Sequence, residues 1–216
     1  MQKHNNDLAA DDTVKIIKAG SSHVSGMAQC HIKSFPGRFM TEMGYHWLCA
    51  LYRFFIKHRR SICLVAVNAN DIVVGLAVGG DPHLREEFLS SALSYYPHLI
   101  FWKFLTKRLV RRVLLHELAN KLNRKHAATL SGDTKAPSVG IRSGNLLSIC
   151  VLPDYEGTGV SGELIESFRL ACKAQGYERL DLSVLKQNSH AVAFYKKHGW
   201  HQSGISGESF RFYVDL

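Results

Sequence analysis

The sequence predicts a domain of the α/β (α+β) class, with a mixed central β-sheet flanked by helices and a long helical insert between the third and fourth strands. Two patterns predict this class. Two β-branched runs flank the turn "NAND" at residues 68–71, which is typical of a β-hairpin. Residues 147–168, "LSICVLPDYEGTGVSGELIESF", change from an apolar run through a glycine-rich turn to an amphipathic helix. A hairpin and a strand–helix–strand crossover in one sheet require both antiparallel and parallel strand pairs.

The N-terminal half is predicted to contain three strands and two helices before the insert. Residues 13–20 form the first strand because they alternate weakly and are rich in β-branched side chains. Residues 21–35 form a helix that begins at serines suited to an N-cap. After a break at residues 36–39, residues 40–58 form a second and strongly aromatic helix. The hairpin then occupies residues 61–81.

The insert and the C-terminal half follow. Residues 82–126 carry apolar positions at helical spacing with a break near Pro97, whereas residues 127–145 are rich in Gly, Ser, Thr and Pro and form a loop. The remaining elements are a strand at 146–153, a helix that continues to about Gln175, a strand at 178–185, a helix at 188–199 that ends at a glycine, and a final strand at 209–216.

Length and composition favour one folded unit. With 216 residues, of which 46% are hydrophobic, the chain suits one large domain. We expect residues 1–12 to be a flexible N-terminal leader and residues 13–216 to form the single domain. The polar N-terminus lacks the apolar region of a signal peptide, and the most apolar stretch is interrupted by Pro97 and Lys103. A cytoplasmic protein without a membrane span is therefore expected.

Cysteine and histidine usage gives no indication of a disulfide or a metal site. The cysteines are Cys30, Cys49, Cys63, Cys150 and Cys172. They form no CxxC pair and most lie in apolar surroundings, so we interpret them as reduced core residues. The twelve histidines show neither HxH nor HExxH spacing, so no metal is expected.

The net charge of +9 is concentrated in one segment. Residues 101–126 contain eight basic residues and one acid, which gives this segment a net charge of +7. Such a segment is either a solvated helix face or a surface for an anionic ligand, a nucleic acid or a membrane. It lacks the interleaved aromatic residues of single-strand platforms, and no helix-turn-helix pattern is evident, so no nucleic-acid partner is expected.

The glycine-rich turn at residues 156–162 has a spacing that favours anion binding. It is not a Walker A loop, because Glu163 stands where a lysine is required. Gly157, Gly159 and Gly162 match the GxGxxG pattern of dinucleotide sites, but the turn follows a hairpin and the next strand lacks the acid expected for a ribose. An anion-binding turn and a plain corner between a strand and a helix remain the alternatives at this point.

Two motifs together resemble a known family. "VLPDYEGTGVSGELI" is similar to the strand, pyrophosphate loop and helix of the GNAT superfamily of N-acetyltransferases, written generally as [QR]-x-x-G-x-[GA]. "LSVLKQNSHAVAFYKKHGW" is similar to the next strand and helix of that family, in which an Asn is followed seven residues later by a Tyr. The resemblance covers residues 144–200. It implies a GNAT-like fold, an N-acetyltransferase domain over residues 13–216, and acetyl-CoA (CoA) as co-substrate.

The resemblance also implies roles for particular residues. The pyrophosphate of CoA is expected at a set of turn residues, namely Glu156, Gly157, Thr158, Gly159, Val160, Ser161 and Gly162. Backbone groups of Ile149 and Val151 are expected to pair with the pantetheine amides, because β-strands around them splay in this family, and Val151 to help polarise the thioester carbonyl. Asn188 is expected either to contact pantetheine or to cap its helix. Tyr195 is the expected catalytic acid, which protonates the departing thiolate.

Two positions depart from the family pattern. Glu156 stands at the position of a Gln or Arg, and Ser161 at that of a Gly or Ala. An acid beside a pyrophosphate is repelled, so the Glu156 side chain is expected to point to solvent while its backbone N–H contributes. Ser161 is small and carries a hydroxyl that can donate a further hydrogen bond.

The expected reaction is direct attack of a primary amine on the thioester. The acceptor is predicted to be a small molecule such as an amino sugar or a nucleotide-linked amino sugar, with Arg38 available for an anionic acceptor. A protein or peptide amine is the alternative, as is a non-catalytic acyl-CoA-binding module or a basic nucleic-acid-binding or membrane-binding module. A homodimer is one expected assembly. Candidate general bases are Asp81, His83, Glu42 and His46, or a water relay from Asn145 or Ser148.

Overall fold

The chain folds into one mixed sheet with helices on both faces. The structure, a computed structural model, describes residues 13–95, 106, 115 and 141–216. The strands are β1 (Lys15–Lys18), β2 (Ser61–Val67), β3 (Val73–Gly80), β4 (Ser143–Val151), β5 (Arg179–Leu185), β6 (His201–Ser206) and β7 (Ser209–Asp215). The helices are α1 (Val24–Ser34), α2 (Phe39–Met43), α3 (Tyr45–Lys57), α4 (Leu84–Tyr95), α5 (Val160–Ala174) and α6 (Ser189–Lys197).

The strand order in the sheet is β1-β2-β3-β4-β5-β7-β6. Among the described strands only β4 and β5 pair in parallel, and α5 provides the crossover between them. All other neighbouring strands pair antiparallel. The mixed sheet flanked by helices is therefore confirmed. Most of the predicted insert and the leader at residues 1–12 lie outside the described residues, so the domain boundaries stay a prediction.

Two hydrophobic cores lie on opposite faces of the sheet. On the first face, here called the α1 face, α1 and α3 bury Met27, Leu48, Tyr52 and other side chains against β2 and β3. On the second face, the α5 face, α5 and α6 bury Phe168 and Tyr195 among other apolar residues against the central strands. Alternation along β4 divides its side chains between the two cores, because successive side chains of a strand point to opposite faces.

The predicted hairpin turn is confirmed, and one side chain organises it. The Asn68 side chain accepts hydrogen bonds from the backbone N–H groups of Asn70 at 3.1 Å and Ile72 at 3.0 Å. Asp71 adopts a positive φ of 58°, a conformation that Asp tolerates better than most residues. The turn therefore depends on local side-chain chemistry that the composition already indicated.

Two predicted elements need correction, and one strand was not predicted. The predicted helix at residues 40–58 is two helices, because Gly44 adopts a φ of 97° and ends α2. β4 begins at Ser143, before the predicted start of its strand. The strand β6 was missed because its sequence, "HQSGIS", is polar and lies exposed at the sheet edge, so it shows no apolar alternation.

Candidate active site

A gap opens between β4 and β5 in the middle of the sheet. The two strands pair only where Ser143–Asn145 lies beside Arg179–Asp181, and no further parallel pairs follow among the described residues. The register between β3 and β4 shifts by one residue at Leu147, which forms a β-bulge. Beyond it, Ser148 and Ile149 remain only half-buried although β4 is a central strand. The expected splay of the strands is therefore confirmed.

The close approach of β3 and β4 beside this gap requires a glycine. A Cβ on Gly79 would lie 2.0 Å from the carbonyl oxygen of Asn145 and 2.8 Å from the Phe168 ring. Such distances are far inside van der Waals contact, so only glycine fits between the backbone of β4 and the α5 face. The contact holds β4 against β3 at the point where it leaves β5.

The free edge of β4 presents backbone groups to the gap. The Leu152 N–H donates to the Val74 carbonyl at 2.7 Å, so Leu152 pairs with β3. Because pairing alternates along an antiparallel ladder, Val151 and Ile149 direct their N–H and C=O groups to the other edge, toward the gap. The Val151 carbonyl accepts a hydrogen bond of 2.8 Å from the Ser34 hydroxyl at the end of α1. This carbonyl is therefore engaged already, in contrast to the expectation that both residues have free backbone groups.

The glycine-rich turn leads from β4 into the N-terminus of α5. Gly157 and Gly159 adopt φ values of 79° and 94°, which L side chains rarely adopt, and a Cβ on either would meet open space. α5 begins at Val160 and has no side chain that caps its N-terminus. Within the described part of the chain, the backbone N–H groups from Gly157 to Gly162 have no hydrogen-bond partner. The turn therefore gathers free donors at the positive end of a helix dipole.

The side chains of the turn leave these donors accessible. Glu156, the unexpected acid, is exposed and makes no ion pair with a described residue. The Thr158 hydroxyl donates to the Tyr155 carbonyl at 2.7 Å, which fixes the turn internally. Gly162 has a different role from the other two glycines, because a Cβ there would lie 3.2 Å from the His198 ring. Gly162 thus permits close packing of α5 against the end of α6.

Tyr195 lies on α6 and is largely buried on the α5 face. Its ring contacts Phe194, Trp200 and Phe212 at centroid distances of 5.5, 5.7 and 6.2 Å. Burial raises the pKa of Tyr195, and the nearby Cys150 thiol raises it further, so the phenol keeps its proton at neutral pH. Among the described residues, no group forms a hydrogen bond with its hydroxyl, although 9% of the residue is exposed.

Asn188 caps α6. Its side-chain oxygen accepts a hydrogen bond from the Ala191 N–H at 3.1 Å, so the capping role is the one that the structure contains. The side-chain amide nitrogen is not used in that bond. A contact of this amide with pantetheine therefore stays a prediction.

The four predicted general bases are not brought together at the gap. The Asp81 carboxylate accepts from Arg60 at 2.7 Å and from the His83 N–H at 2.9 Å. Burial acts to raise the pKa of Asp81, but these donors outweigh it and the pKa is lowered. His83 and His46 are exposed, and Glu42 lies on the short helix α2. Asp81 is thus a capping and ion-pairing residue of the turn into α4.

A buried polar pair beneath β4 was not predicted. The Nδ1 atom of His31 on α1 lies 2.6 Å from the Tyr52 hydroxyl on α3, and both residues are almost fully buried. Burial raises the pKa of Tyr52, as do nearby cysteine thiols, whereas the Ser148 hydroxyl on β4 lowers it as a hydrogen-bond partner. Burial lowers the pKa of His31 to about 4, so His31 is neutral. The sequence shows only a histidine on an apolar helix, which gives no signal of its partner.

Searches against known proteins identify the family. A sequence profile described as "Acetyltransferase (GNAT) domain" matches residues 101–211, about half of the chain. The chain therefore belongs to the GNAT family of acetyltransferases, which makes it an acyltransferase that uses acetyl-CoA. No curated protein sequence matches the chain significantly.

Solved structures share the fold at low sequence identity. The PaiA N-acetyltransferase from Thermoplasma acidophilum in complex with coenzyme A aligns with a TM-score of 0.59 at 12% identity, over 94% of this chain and 99% of that chain. A GNAT acetyltransferase from Streptococcus pneumoniae gives 0.55 at 14% identity, over 94% and 100%. The ribosomal-protein-S18-alanine N-acetyltransferase from Escherichia coli gives 0.54 at 11% identity, over 94% of both chains.

The described residues contain neither a metal-binding cluster nor a membrane-spanning helix. No group of His, Cys, Asp and Glu in the described ranges is placed to hold a metal ion. Within the same ranges, no helix combines the length and the apolar character that crossing a membrane requires. The basic segment at residues 101–126 lies outside the described residues except for Thr106 and Leu115.

The buried His31 makes stability depend on pH in a defined window. Its pKa in the folded state is about 4, against an ordinary value of 6.5, so protonation favours the unfolded chain. Stability that is present above pH 6.5 is lost as the pH falls toward 4, by about 2 to 3 kcal/mol at pH 4.5. Urea unfolding of wild type and His31→Gln at pH 7.5 and 4.5 measures this term. We expect a smaller loss in the variant, and the exposed control His201→Gln to behave as wild type; equal losses in all three proteins would contradict the assignment.

Proposed function

We propose that this protein transfers the acetyl group of acetyl-CoA to the primary amine of a small molecule, such as an amino sugar or a nucleotide-linked amino sugar, by direct attack. The observation that carries the proposal is the unpaired stretch of β4 beside the gap, which is followed along the chain by the free N–H groups at the start of α5. A long thioester with a pyrophosphate at its far end matches this arrangement. We assign the activity to one domain over residues 13–216.

The pyrophosphate is assigned to the turn at residues 156–162. Free backbone N–H groups at a helix N-terminus are suited to phosphate oxygens, and the positive φ values of Gly157 and Gly159 let these groups converge. Thr158, Val160 and Ser161 contribute donors in the same stretch. The exposed position of Glu156 supports the view that its carboxylate stays in solvent, away from the phosphates.

The pantetheine arm is assigned to the free edge of β4. The alternation along β4 makes the N–H and C=O of Ile149 and the N–H of Val151 available for amide pairing, while Ser34 occupies the Val151 carbonyl. The thioester then extends toward the closed end of the gap, with backbone N–H groups of β4 beside its carbonyl oxygen. Asn188 offers its amide nitrogen from the opposite side.

Tyr195 is assigned as the acid that protonates the leaving thiolate. Its protonated phenol without a described partner is free to donate a hydrogen bond to sulfur. A thiolate held in the same poorly solvated place is also less stable than in water, which favours transfer of the proton to it.

The closed end of the gap supports a small acceptor. β4 and β5 pair as far as Asn145 and Asp181, so we place an amine on a slender group, rather than a folded surface, beside the thioester. A peptide N-terminus is the second candidate, because a structural neighbour from Escherichia coli is named as a ribosomal-protein-S18-alanine N-acetyltransferase. A homodimer stays a prediction.

The acceptor class is tested by a panel of amines. Purified protein with acetyl-CoA is assayed for thiol release against amino sugars, nucleotide-linked amino sugars, polyamines, amino acids and peptides that begin with alanine. We expect the highest kcat/KM among the small molecules. A preference for peptides would replace this acceptor with the second candidate, and binding of acetyl-CoA without turnover of any amine would contradict the proposed activity.

Two glycine variants test the proposal that the turn at residues 156–162 binds the pyrophosphate. We expect Gly159→Ala to strain the turn by about 1 to 2 kcal/mol and to displace its donors. The Kd for acetyl-CoA should rise about tenfold, which corresponds to ~1.4 kcal/mol. Calorimetric titration measures the Kd, and the control is Gly207→Ala, which places the same strain on the β6–β7 turn at a φ of 57°. Equal Kd values in both variants would exclude the turn from CoA binding.

Two Tyr→Phe variants test the proposal that Tyr195 is the catalytic acid. Tyr195→Phe removes the hydroxyl and should lower kcat about 100-fold while the Kd for acetyl-CoA stays within about twofold of wild type. The control is Tyr177→Phe, which removes the hydroxyl of another tyrosine on the α5 face, one that donates to the Arg60 carbonyl at 3.3 Å. Steady-state kinetics from pH 6 to 9 measure the effect. An unchanged rate for Tyr195→Phe at every pH would remove Tyr195 from the mechanism.

A further inference from the structure

Asp181 lies at the closed end of the gap. It is the last residue of β5 that pairs with β4, where it lies beside Asn145, and on its other side it lies opposite Tyr213 of β7. Its neighbours Leu180 and Leu182 are buried on the α5 face. Since side chains alternate along a strand, the Asp181 carboxylate points to the α1 face. It therefore lies on the side of the sheet opposite the core that holds Tyr195.

The cations near Asp181 are directed elsewhere. The Arg179 guanidinium binds Asp215 at 2.7 Å and stacks over the Tyr213 ring at 4.4 Å. The Arg211 guanidinium lies 3.4 Å from the Ser206 hydroxyl. In the part of the chain that the structure describes, Asp181 has no ion pair within 4.0 Å. Its carboxylate is thus a half-buried acid without a cation bound to it.

The surroundings of Asp181 raise its pKa. Burial raises the pKa of Asp181, and this effect outweighs the opposing effects of Arg179, the Ser143 hydroxyl on β4 and Arg211, while Asp215 acts in the raising direction. For Asp81 the outcome is the opposite: burial raises its pKa, but two close hydrogen-bond donors lower it by more. A carboxylate whose pKa is shifted toward neutrality is a better proton acceptor near physiological pH.

We propose that Asp181 is the general base of the acetyl transfer and takes a proton from the acceptor's ammonium group at the closed end of the gap. The proposal rests on the proposed function. Loss of one ammonium proton to Asp181 leaves a nitrogen lone pair, which forms the C–N bond to the thioester carbonyl carbon. The C–S bond breaks, and the thiolate takes the Tyr195 proton. The nitrogen then releases its surplus proton, which restores Tyr195 through water, and Asp181 returns its proton to solvent.

The geometry separates the two proton transfers. The acid comes from α6 on the α5 face, whereas the base comes from the α1 face of β5, where Arg179, Asp181 and Tyr213 are only partly buried and admit an acceptor. The gap lies between the acid and the base, so the amine loses its proton on one side of the sheet and the leaving sulfur receives a proton from the other side. Asn145, the neighbour of Asp181 on β4, is not ionisable and does not compete for the proton.

The test compares Asp181→Asn with a variant of an exposed carboxylate in the β6–β7 turn. We expect Asp181→Asn to lower kcat/KM about 100-fold or more and to abolish the loss of kcat/KM toward low pH that wild type shows. Asp181→Glu should restore part of the rate. Glu208→Gln removes an exposed carboxylate of the β6–β7 turn and should stay within about threefold of wild type with an unchanged pH profile.

Two measurements keep this proposal separate from folding and from the proposed function. Calorimetric titration with acetyl-CoA should give the wild-type Kd for Asp181→Asn, which shows that the variant is folded. The pH profile is a second test: profiles of kcat/KM that have the same shape in wild type and Asp181→Asn, over the pH range in which both proteins are folded, contradict the proposal. An active wild type with an equally active Asp181→Asn contradicts this inference alone, whereas a wild type that binds acetyl-CoA but acetylates no amine contradicts both proposals.

Discussion

The short pairing between β4 and β5 is the constraint on which the site depends. A central sheet normally satisfies the backbone N–H and C=O groups of both edges of each inner strand. Here the parallel pairing stops after Asn145 and Asp181, so the rest of β4 keeps one edge unpaired by the described strands. The bulge at Leu147 and the close contact at Gly79 hold β4 on β3 while it turns away from β5. Ser34 then satisfies one freed carbonyl, and the remaining groups are left for a ligand.

The short pairing of β4 with β5 also determines the position of α5. Because β4 ends beside an open gap, the turn after it carries α5 across the sheet with its N-terminus at the mouth of that gap. Two glycines with positive φ make the turn, and no side chain caps the helix. Uncapped donors at a helix start leave backbone groups to be satisfied by water or by an anion. In the proposed binding mode only the backbone of Glu156 faces the anion, and its exposed side chain lies in solvent.

The features that the sequence predicts are determined by neighbouring positions along the chain, whereas those it misses depend on contacts between elements that are distant in sequence. The glycine turn, the Asn188 cap and the position of Tyr195 are set within a few residues along the chain, so motif spacing was sufficient to propose them. β6 was missed because an exposed edge strand needs no apolar alternation. Asp181 was missed because its importance comes from its parallel register with Asn145, which belongs to another strand. The His31–Tyr52 pair likewise depends on how α1 packs against α3.

The two cores explain why the gap is a suitable place for a reaction. Cys150 belongs to the core on the α1 face, whereas its neighbour Val151 belongs to the core on the α5 face, and Leu152 packs against both. β4 thus contributes side chains to both cores, as β2 and β3 do, and it does so where the pairing with β5 ends. In the proposed binding mode, a ligand that pairs with the free edge of β4 replaces the missing strand contacts. In the proposed reaction Tyr195 acts from the α5 face and Asp181 from the α1 face, so acetyl-CoA bound at this edge of β4 places its thioester between the acid and the base.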